Sequence, residues 1–219
     1  MERPDETGTE IASLLQKKMP QLVFKRTADV IISAAALLLL SPLLALIALA
    51  VKADSSGPVF YRQERVGKDG VPFRIFKYRT MVTDADRRGP AITVGQDSRI
   101  TRVGAFLRST KLDELAQLLN VFRGEMSFVG PRPEVPKYVK LYTPCQRQVL
   151  LVRPGITDYA SIAYRRESEL LGKAEDPEAL YVNEIMPAKL KLNLQYLREI
   201  SPLTDLKLIL KTLSAVVKG

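Results

Sequence analysis

The chain contains no histidine. That excludes a Ser-His-Asp triad, a Cys-His pair and every histidine-ligated metal site. Cys145 is the single cysteine. No internal disulfide can form, which fits a reducing compartment, and the thiol reads as a small apolar packing residue. Zinc-finger spacings, RNA-recognition motifs, basic-zipper heptads, internal repeats and low-complexity tracts are also missing. Chemistry must therefore come from Asp, Glu, Lys, Arg, Tyr, Ser or that thiol. Such a set is compatible with a hard cation, Mg²⁺, held by carboxylates and substrate phosphates.

What is present is positive charge. The 219 residues carry a formal charge of +9, with a pI near 9.7. This suits an anionic membrane surface or phosphate-bearing substrates, and with no nucleic-acid motif it points away from DNA and RNA. The length allows one domain with a real core plus an appendage. The fold class expected is α+β, mostly helical with a small β-hairpin.

Residues 1–24 are polar with mixed charge and read as a mobile tail or a short, loosely held helix, with Lys17 and Lys18 on a solvated face. From Val30 to Val51 no charged residue occurs, a run long enough to cross a bilayer. Its late start and the lack of a small-residue cleavage site argue against a signal peptide. Two features argue against a simple crossing. Pro42 removes a backbone bond and clashes with the preceding turn, so the helix breaks or bends at Ser41-Pro42, where Ser41 can bond back to a freed carbonyl. Both flanks are basic, with Lys25 and Arg26 before and Lys52 after, which favours both ends on one side. From these residues alone, a kinked spanning helix and a re-entrant hairpin stand level.

The richest stretch runs from Arg108 to Glu134. Leu112, Leu115, Leu118, Leu119 and Phe122 recur at helical spacing and predict one buried face. Asp113 and Glu114 fall in the first turn of that helix. Adjacent helical positions do not face the same way, so the two acids would have different roles. A helix start stabilises a carboxylate or a bound phosphate. The same residues also admit a plainer reading: Thr110 and Asp113 as a capping box, and Glu114 as a solvated acid. Gly130-Pro131-Arg132-Pro133 fixes the backbone on both sides of one cation. Arg153 in Arg153-Pro154-Gly155 is similarly stiffened and can grip phosphate with a planar fork.

Between the apolar run and this stretch, Val59–Tyr61 and Phe73–Phe76 predict two short strands around the turn Gly67-Lys68-Asp69-Gly70. Lys77 and Arg79 would follow the second strand, as phosphate ligands or as exposed strand-end cations. Ile92–Val94 suggests a further short strand. Arg108, unfavourable for the helix dipole, is weighed as a substrate ligand or as a surface partner of a Glu. Further on, a helix is expected from Lys137 to about Leu151, interrupted near Pro144. Another starts at Asp176-Pro177, and a third runs through Leu190, Leu194 and Leu197. A last one from Ser201-Pro202 carries Leu206, Ile209, Leu210, Leu213 and Val217 on one face. With Lys207, Lys211 and Lys218 it reads equally as a helix on an anionic membrane surface and as core packing with a basic edge.

Taken together, Leu112-Asp113-Glu114-Leu115, the run from Gly124 to Glu134 (GEMSFVGPRPE), Val152 to Thr157 (VRPGIT) and the segment GPVFYRQERVGKDGVPFRIFKYRTM from Gly57 resemble the bacterial sugar transferases. More narrowly, they resemble the small monotopic phosphoglycosyl transferases. The resemblance covers nearly all of the chain after Lys25. It implies a re-entrant membrane helix, residues 25–54, broken at Ser41 and Pro42, in one leaflet of the bacterial inner membrane, with residues 55–219 as a catalytic domain on the cytoplasmic face and amphipathic interfacial helices. It implies transfer of a sugar 1-phosphate from a UDP-sugar to undecaprenyl phosphate with release of UMP, as a first membrane step of glycan assembly. Asp113 would be the nucleophile and Glu114 the Mg²⁺ ligand, with Lys77, Arg108, Arg132, Arg153 and Arg165 as phosphate ligands. Arg132 and Arg153 stand out for their proline-stiffened settings. A homodimer is compatible with this reading. Metal-dependent direct transfer and a non-catalytic membrane scaffold are the alternatives. Two departures from the family's commonest pattern occur: Lys111 stands where Ser is usual, and Asp158 to Arg165 replaces a Gly-Trp-Ala-Gln stretch. The second bears on the sugar rather than the reaction.

Overall fold

The computed structural model describes residues 6–85 and 97–217. The strand expected at Ile92–Val94 and the cation Lys218 lie outside them. Helix dominates, with two small two-stranded sheets among the described residues.

Three helices open the chain: α1 (Glu6–Lys17), α2 (Met19–Leu39) and α3 (Ser41–Asp54). α1 is a packed element rather than a loose tail, because Ile11 and Leu15 are buried in the main core. Lys18 is likewise no solvated cation; its Nζ donates to the carbonyls of Arg198 and Ile200 at 3.0 and 2.9 Å. α2 and α3 are bent by 64°. The cause is local: Pro42 has no N–H for the Leu38 carbonyl, and its ring crowds that oxygen. Ser41 Oγ takes over, donating to Leu38 O at 2.8 Å. No single helix among the described residues is long and apolar enough to cross a membrane; α2 and α3 reach that length and composition only as a bent pair. Ile31, Ile32, Leu38, Leu39, Leu43, Leu46 and Leu49 of this pair are exposed.

The predicted hairpin is present, and longer than expected. β1 (Phe60–Val66) and β2 (Pro72–Tyr78) pair antiparallel, with Tyr61 opposite Lys77. Its turn holds Gly70 at φ 78°, a conformation glycine adopts without steric cost. Then come α4 (Arg102–Ser109), a 3₁₀ segment Leu112–Gln117, α5 (Leu118–Arg123) and β3 (Ser127–Val129). The helix expected from Lys137 to Leu151 resolves into α6 (Pro136–Val139) and a 3₁₀ turn Gln146–Leu151. Thr143 and Gln146 bond reciprocally around Pro144, closing off the helix between them. Cys145 packs half-buried on the core. β4 (Gly155–Thr157), α7 (Tyr159–Ala163), α8 (Glu167–Leu171), α9 (Pro177–Leu180), α10 (Met186–Glu199) and α11 (Pro202–Val217) complete the described chain. Asp176 caps α9 through the Ala179 amide at 2.9 Å, as its place before Pro177 predicts.

β3 and β4 form a parallel pair that the sequence pattern did not announce. It lies under α11, where Thr157 and Thr212 hydroxyls meet at 2.5 Å. On α11, Leu208 is buried, whereas Leu203, Leu206, Leu210 and Leu213 are all exposed. The face expected to be apolar therefore points away from the core.

The membrane-pattern helices are fixed to this body at both arms. Arg26 Nη1 and Nη2 donate to the carbonyls of Val121 and Phe122 at 2.7 and 3.1 Å. Asp29 Oδ1 accepts from Phe128 N at 3.3 Å, and Lys25 pairs with Asp205 at 2.6 Å. On the other arm, buried Arg79 donates to the Ser55 carbonyl at 2.8 Å and to that of Ser56. Arg79 thus caps α3 and is neither an exposed strand-end cation nor a phosphate ligand. Asp54 in turn caps α4, accepting from Val103 N at 3.0 Å.

Candidate active site

The Asp-Glu pair sits at the start of the 3₁₀ segment, and its local geometry differs from the expected capping box. Lys111 occupies the N-cap with φ 59° and makes no side-chain cap bond. Thr110 belongs to the preceding helix, its hydroxyl donating to the Phe106 carbonyl at 2.8 Å. A β-branched or long side chain at positive φ is strained, and such strain is tolerated where surrounding packing enforces it.

The buried face is wider than the leucine stripe: Leu118 is buried, and Leu112, Leu115 and Leu119 pack half-buried on a second core cluster. Phe122 is 47% exposed, while Asp113, Ala116, Gln117, Asn120 and Val121 are buried. The last five follow the spacing i, i+3, i+4, i+7, i+8 of a single helical face. This face lies on β2: Asn120 Oδ1 accepts from Phe76 N at 2.8 Å and its Nδ2 donates to Arg74 O at 3.0 Å. Asn120 points inward here because it meets strand backbone rather than side chains. An apolar-period search is blind to that arrangement.

Glu114 is the electrostatic hub. Its Oε1 accepts from Lys77 Nζ at 2.8 Å and from Arg132 Nη2 at 2.7 Å. Lys77 arrives from β2 and Arg132 from the Gly-Pro-Arg-Pro loop. Burial pushes the Glu114 carboxyl up, but Arg132 and Lys77 outweigh it and hold the group well below the usual carboxylate range. Asp113 behaves oppositely. Burial raises its pKa; Lys77 pulls it back, Glu114 raises it further, and Lys111 and Arg108 lower it, with a net rise. A helix start was expected to favour its ionised form. The correction is that burial at 7% exposure outweighs one short turn of aligned amides. Asp113 Oδ1 is buried and has no hydrogen-bond partner. Arg108 Nε donates to Thr80 Oγ1 at 2.8 Å, and its charge acts on Asp113.

The two proline-stiffened loops are joined through backbone. Gly130 N donates to Thr157 O at 3.1 Å, and Gly155 N to Pro131 O at 3.0 Å. A Cβ on Gly155 would stand 2.1 Å from Gly130 N, and one on Gly130 would stand 2.4 Å from Arg153 O, so only glycines permit the approach. Buried Asp158 accepts from Arg132 N at 2.8 Å and caps α7 through Ser161 N. It thereby sets Arg132 toward Glu114. The sequence presented Asp158 only as a departure, and this role had no local signal.

The arginines of these loops part company. Arg153 Nε donates to Gly124 O at 2.8 Å, at the C-terminal end of α5, beside the carbonyls that Arg26 holds. Cations there complement the helix dipole. The structure therefore gathers Asp113, Glu114, Lys77, Arg108 and Arg132, and ties Arg153 to the opposite end of the helix. Arg165 lies exposed in the turn between α7 and α8. Ser41 and Pro42 stand at the bend of the apolar pair.

Among the described residues no three acidic or thiol side chains form a metal cage. The unpartnered Asp113 Oδ1 and the adjacent carboxylate of Glu114 are hard oxygen donors. They fit a Mg²⁺ that takes one or two protein carboxylates and completes its shell from substrate phosphates and water.

The family model described as bacterial sugar transferase matches residues 20–219. The chain is 41% identical over 202 residues to a UDP-glucose:undecaprenyl-phosphate glucose-1-phosphate transferase of Klebsiella pneumoniae, covering 90% of this chain and 40% of that protein. It is 32% identical over 213 residues to a UDP-N-acetylgalactosamine-undecaprenyl-phosphate N-acetylgalactosaminephosphotransferase of Aeromonas hydrophila, covering 96% of this chain and 47% of the relative. It is 39% identical over 207 residues to the exopolysaccharide production protein PSS of Rhizobium leguminosarum bv. phaseoli, covering 90% and 98%. The chain thus spans less than half of the first two relatives and nearly all of the third. With a family match running through both arms of the bent helix pair and the whole Asp113–Glu114 site, the chain belongs to the bacterial sugar transferases.

Proposed function

We propose that this chain is a phosphoglycosyl transferase that moves a sugar 1-phosphate from a UDP-sugar onto undecaprenyl phosphate, releasing UMP. The observation that carries the reading is the asymmetry of two neighbouring acids. Asp113 has a buried oxygen without partner, and Glu114 is held by two cations. The relatives' names supply the substrate classes, and they differ in the sugar, glucose in one and N-acetylgalactosamine in another.

In this reading an Asp113 oxygen attacks the phosphorus that bears the sugar. The new O–P bond forms as the bridging O–P bond to UMP breaks, and the electron pair leaves with UMP. An oxygen of undecaprenyl phosphate then attacks the same phosphorus and frees the Asp113 carboxylate. Lys77, Arg108 and Arg132, gathered around the two acids, would stabilise the charge of the diphosphate. Glu114 would hold Mg²⁺, which when bound screens the diphosphate from an anionic nucleophile. Glu114 also sets the resting positions of Lys77 and Arg132. Arg153 is assigned to holding α5 rather than to phosphate.

The membrane part of the proposal is a hairpin in one leaflet, on the cytoplasmic face of the inner membrane. The 64° bend, the exposed apolar residues of α2 and α3, and the exposed leucine stripe of α11 beside exposed Lys207 and Lys211 support it. Such stripes with basic flanks bind anionic interfaces. A site at headgroup level brings a water-soluble nucleotide and a lipid phosphate to one phosphorus.

A panel of UDP-sugars with Mg²⁺ tests the reaction. With undecaprenyl phosphate, UMP should appear for the matching sugar. Without it, roughly one UMP per enzyme should appear as a burst, with a sugar-phosphate mass on the peptide containing Asp113. UMP that appears only with lipid, with no adduct, would replace the covalent path by direct transfer. No UMP from any UDP-sugar would leave a scaffold.

A further inference from the structure

The end of α5 gathers five arginines. Arg26 and Arg153 are spent there on the carbonyls of Val121, Phe122 and Gly124. Arg62, Arg74 and Arg123 differ: all three are exposed, and among the described residues none of them is in an ion pair. One ring holds two of them together. The Arg62 guanidinium lies 3.5 Å from the centroid of Phe76, and that of Arg123 lies 4.9 Å from it, both within cation–π reach. Register explains the first contact, since Arg62 and Phe76 are direct cross-strand partners. Arg62 Nη2 also donates to the Arg74 carbonyl at 3.2 Å, which brings the third arginine alongside. Like charges so placed repel. Burial lowers the Arg62 pKa, Arg123 lowers it further, Glu125 pushes it back up and Arg74 lowers it again. Glu125 is already engaged, accepting from Asn120 Nδ2 at 2.7 Å. Glu64 faces Arg74 across the hairpin, and no ion pair forms between them. Positive charge is left in excess, and an anion with several acceptor oxygens would relieve it.

Position says which anion. Phe76 packs in one cluster with Ile47 and Val51 of α3. Arg26 of α2 holds the two carbonyls just before Arg123. Both arms of the bent apolar pair therefore reach this patch, and exposed Phe122 adds an apolar neighbour. Arg123 ends the helical segment whose first turn holds Asp113, about 15–20 Å away along the axis. The patch is thus separate from the candidate active site. We propose that Arg62, Arg74 and Arg123 form a docking site for the phosphate headgroup of an anionic membrane phospholipid, with its acyl chains along the bent pair. The proposal rests on the reading of α2 and α3 as a membrane hairpin. Anionic headgroups are drawn to clustered arginines at a bilayer surface. Bound here, the lipid neutralises the patch and ties β1, β2 and α5 to the membrane at one point.

Native mass spectrometry of the full chain in neutral detergent micelles, titrated with phosphatidylglycerol or phosphatidylcholine, tests it. Wild type should retain one phosphatidylglycerol in preference to phosphatidylcholine. Arg123→Gln loses no side-chain hydrogen bond, and should weaken phosphatidylglycerol about fivefold, the worth of one arginine at an anionic surface. Replacing all three arginines by glutamine should weaken it about 100-fold and erase the preference. In lipid-free micelles Arg123→Gln should melt no lower than wild type, because a repelling charge is gone. The control Lys207→Gln/Lys211→Gln removes charge from α11 and should leave the preference intact. Unchanged binding in both arginine variants overturns the proposal. So does an equal loss in the lysine variant, which marks general basicity. Inorganic phosphate that stabilises wild type as strongly as phosphatidylglycerol marks a site for soluble anions and overturns the lipid assignment. Flotation tests the hairpin separately. A chain that floats with neither phosphatidylglycerol nor phosphatidylcholine vesicles lacks the hairpin, and the micelle titration still reports whether the arginines hold the headgroup.

Discussion

Ser41 Oγ donates at 2.8 Å to the carbonyl of Leu38, the acceptor to which Pro42 cannot supply the usual i+4 amide. One hydroxyl thus makes a 64° bend tolerable in an apolar setting. Replacing both residues by leucine restores the missing N–H and removes the ring. The hairpin should then straighten into a spanning helix. Cysteines placed near positions 10 and 70 report this in intact cells. Both should be shielded from an outside-only thiol reagent in the parent, and the first should become labelled in the double variant. Continued shielding of both would show that the bend does not depend on this pair.

Asp113 should trade stability for function. A folded carboxyl that holds its proton more tightly than the unfolded one costs stability once the pH rises past the unfolded value, about 3.9. The Asp113 carboxyl is raised on folding, chiefly by burial. In EDTA at pH 7, Asp113→Asn should therefore melt higher than wild type, with the gap closing as the pH falls below about 4. The same variant should release no UMP. A lower melting temperature across the range would contradict the assignment.

Glu114 should act in the reverse sense. Lys77 and Arg132 hold its carboxyl well below the usual range. Its contribution to stability is present above the unfolded value of about 4.3 and is lost as the pH falls through the lower folded one. Glu114→Gln leaves two cations facing a neutral amide and should cost about 3 kcal/mol at pH 7, in the range for breaking a buried pair. Chemical denaturation at pH 7 measures the loss, which should shrink in acid.

The two proline-flanked arginines should separate experimentally. Arg132→Ala should weaken UDP-sugar use by about 2–5 kcal/mol in kcat/KM, with lysine rescuing only in part. Arg153→Ala removes a charged donor from the Gly124 carbonyl and should lower stability by about 1.5–3 kcal/mol. Its KM for the UDP-sugar should change little. A selective rise in KM for Arg153→Ala would return that residue to the phosphate site.

Much of this site was legible because its parts are local. The proline-stiffened loops and Ser41-Pro42 each declare their geometry within a few residues, and Asp113-Glu114 declares its two acids though not the 3₁₀ turn that holds them. The hairpin followed from turn residues, and the last two helices from period and proline. What escaped was non-local. The β3–β4 pair joins residues 127 and 155 through two glycine backbones, and no pattern within either strand implies it. Arg153 and Arg132 look alike in sequence, and only the tertiary fold sends one to Gly124 O and the other to Glu114. Lys18 read as a solvated cation and Arg26 as part of a basic flank for a membrane, yet their donors are spent on protein carbonyls. The leucines of the Asp113 helix pack as their spacing predicts, but Gln117 and Asn120 are polar and buried beside them, which no apolar period reveals.

Arg26 and Arg153 clasp the last carbonyls of the helix whose first turn holds Asp113. Arg26 belongs to α2, just before the apolar run begins. A continuous helical segment, 3₁₀ and then α, therefore links the apolar pair to Asp113. In the proposed membrane setting the altitude of Asp113 above the acyl chains is inherited from how deep the hairpin rides. Lipid thickness and headgroup packing then become levers on turnover, acting through that helical link rather than through any contact with substrate.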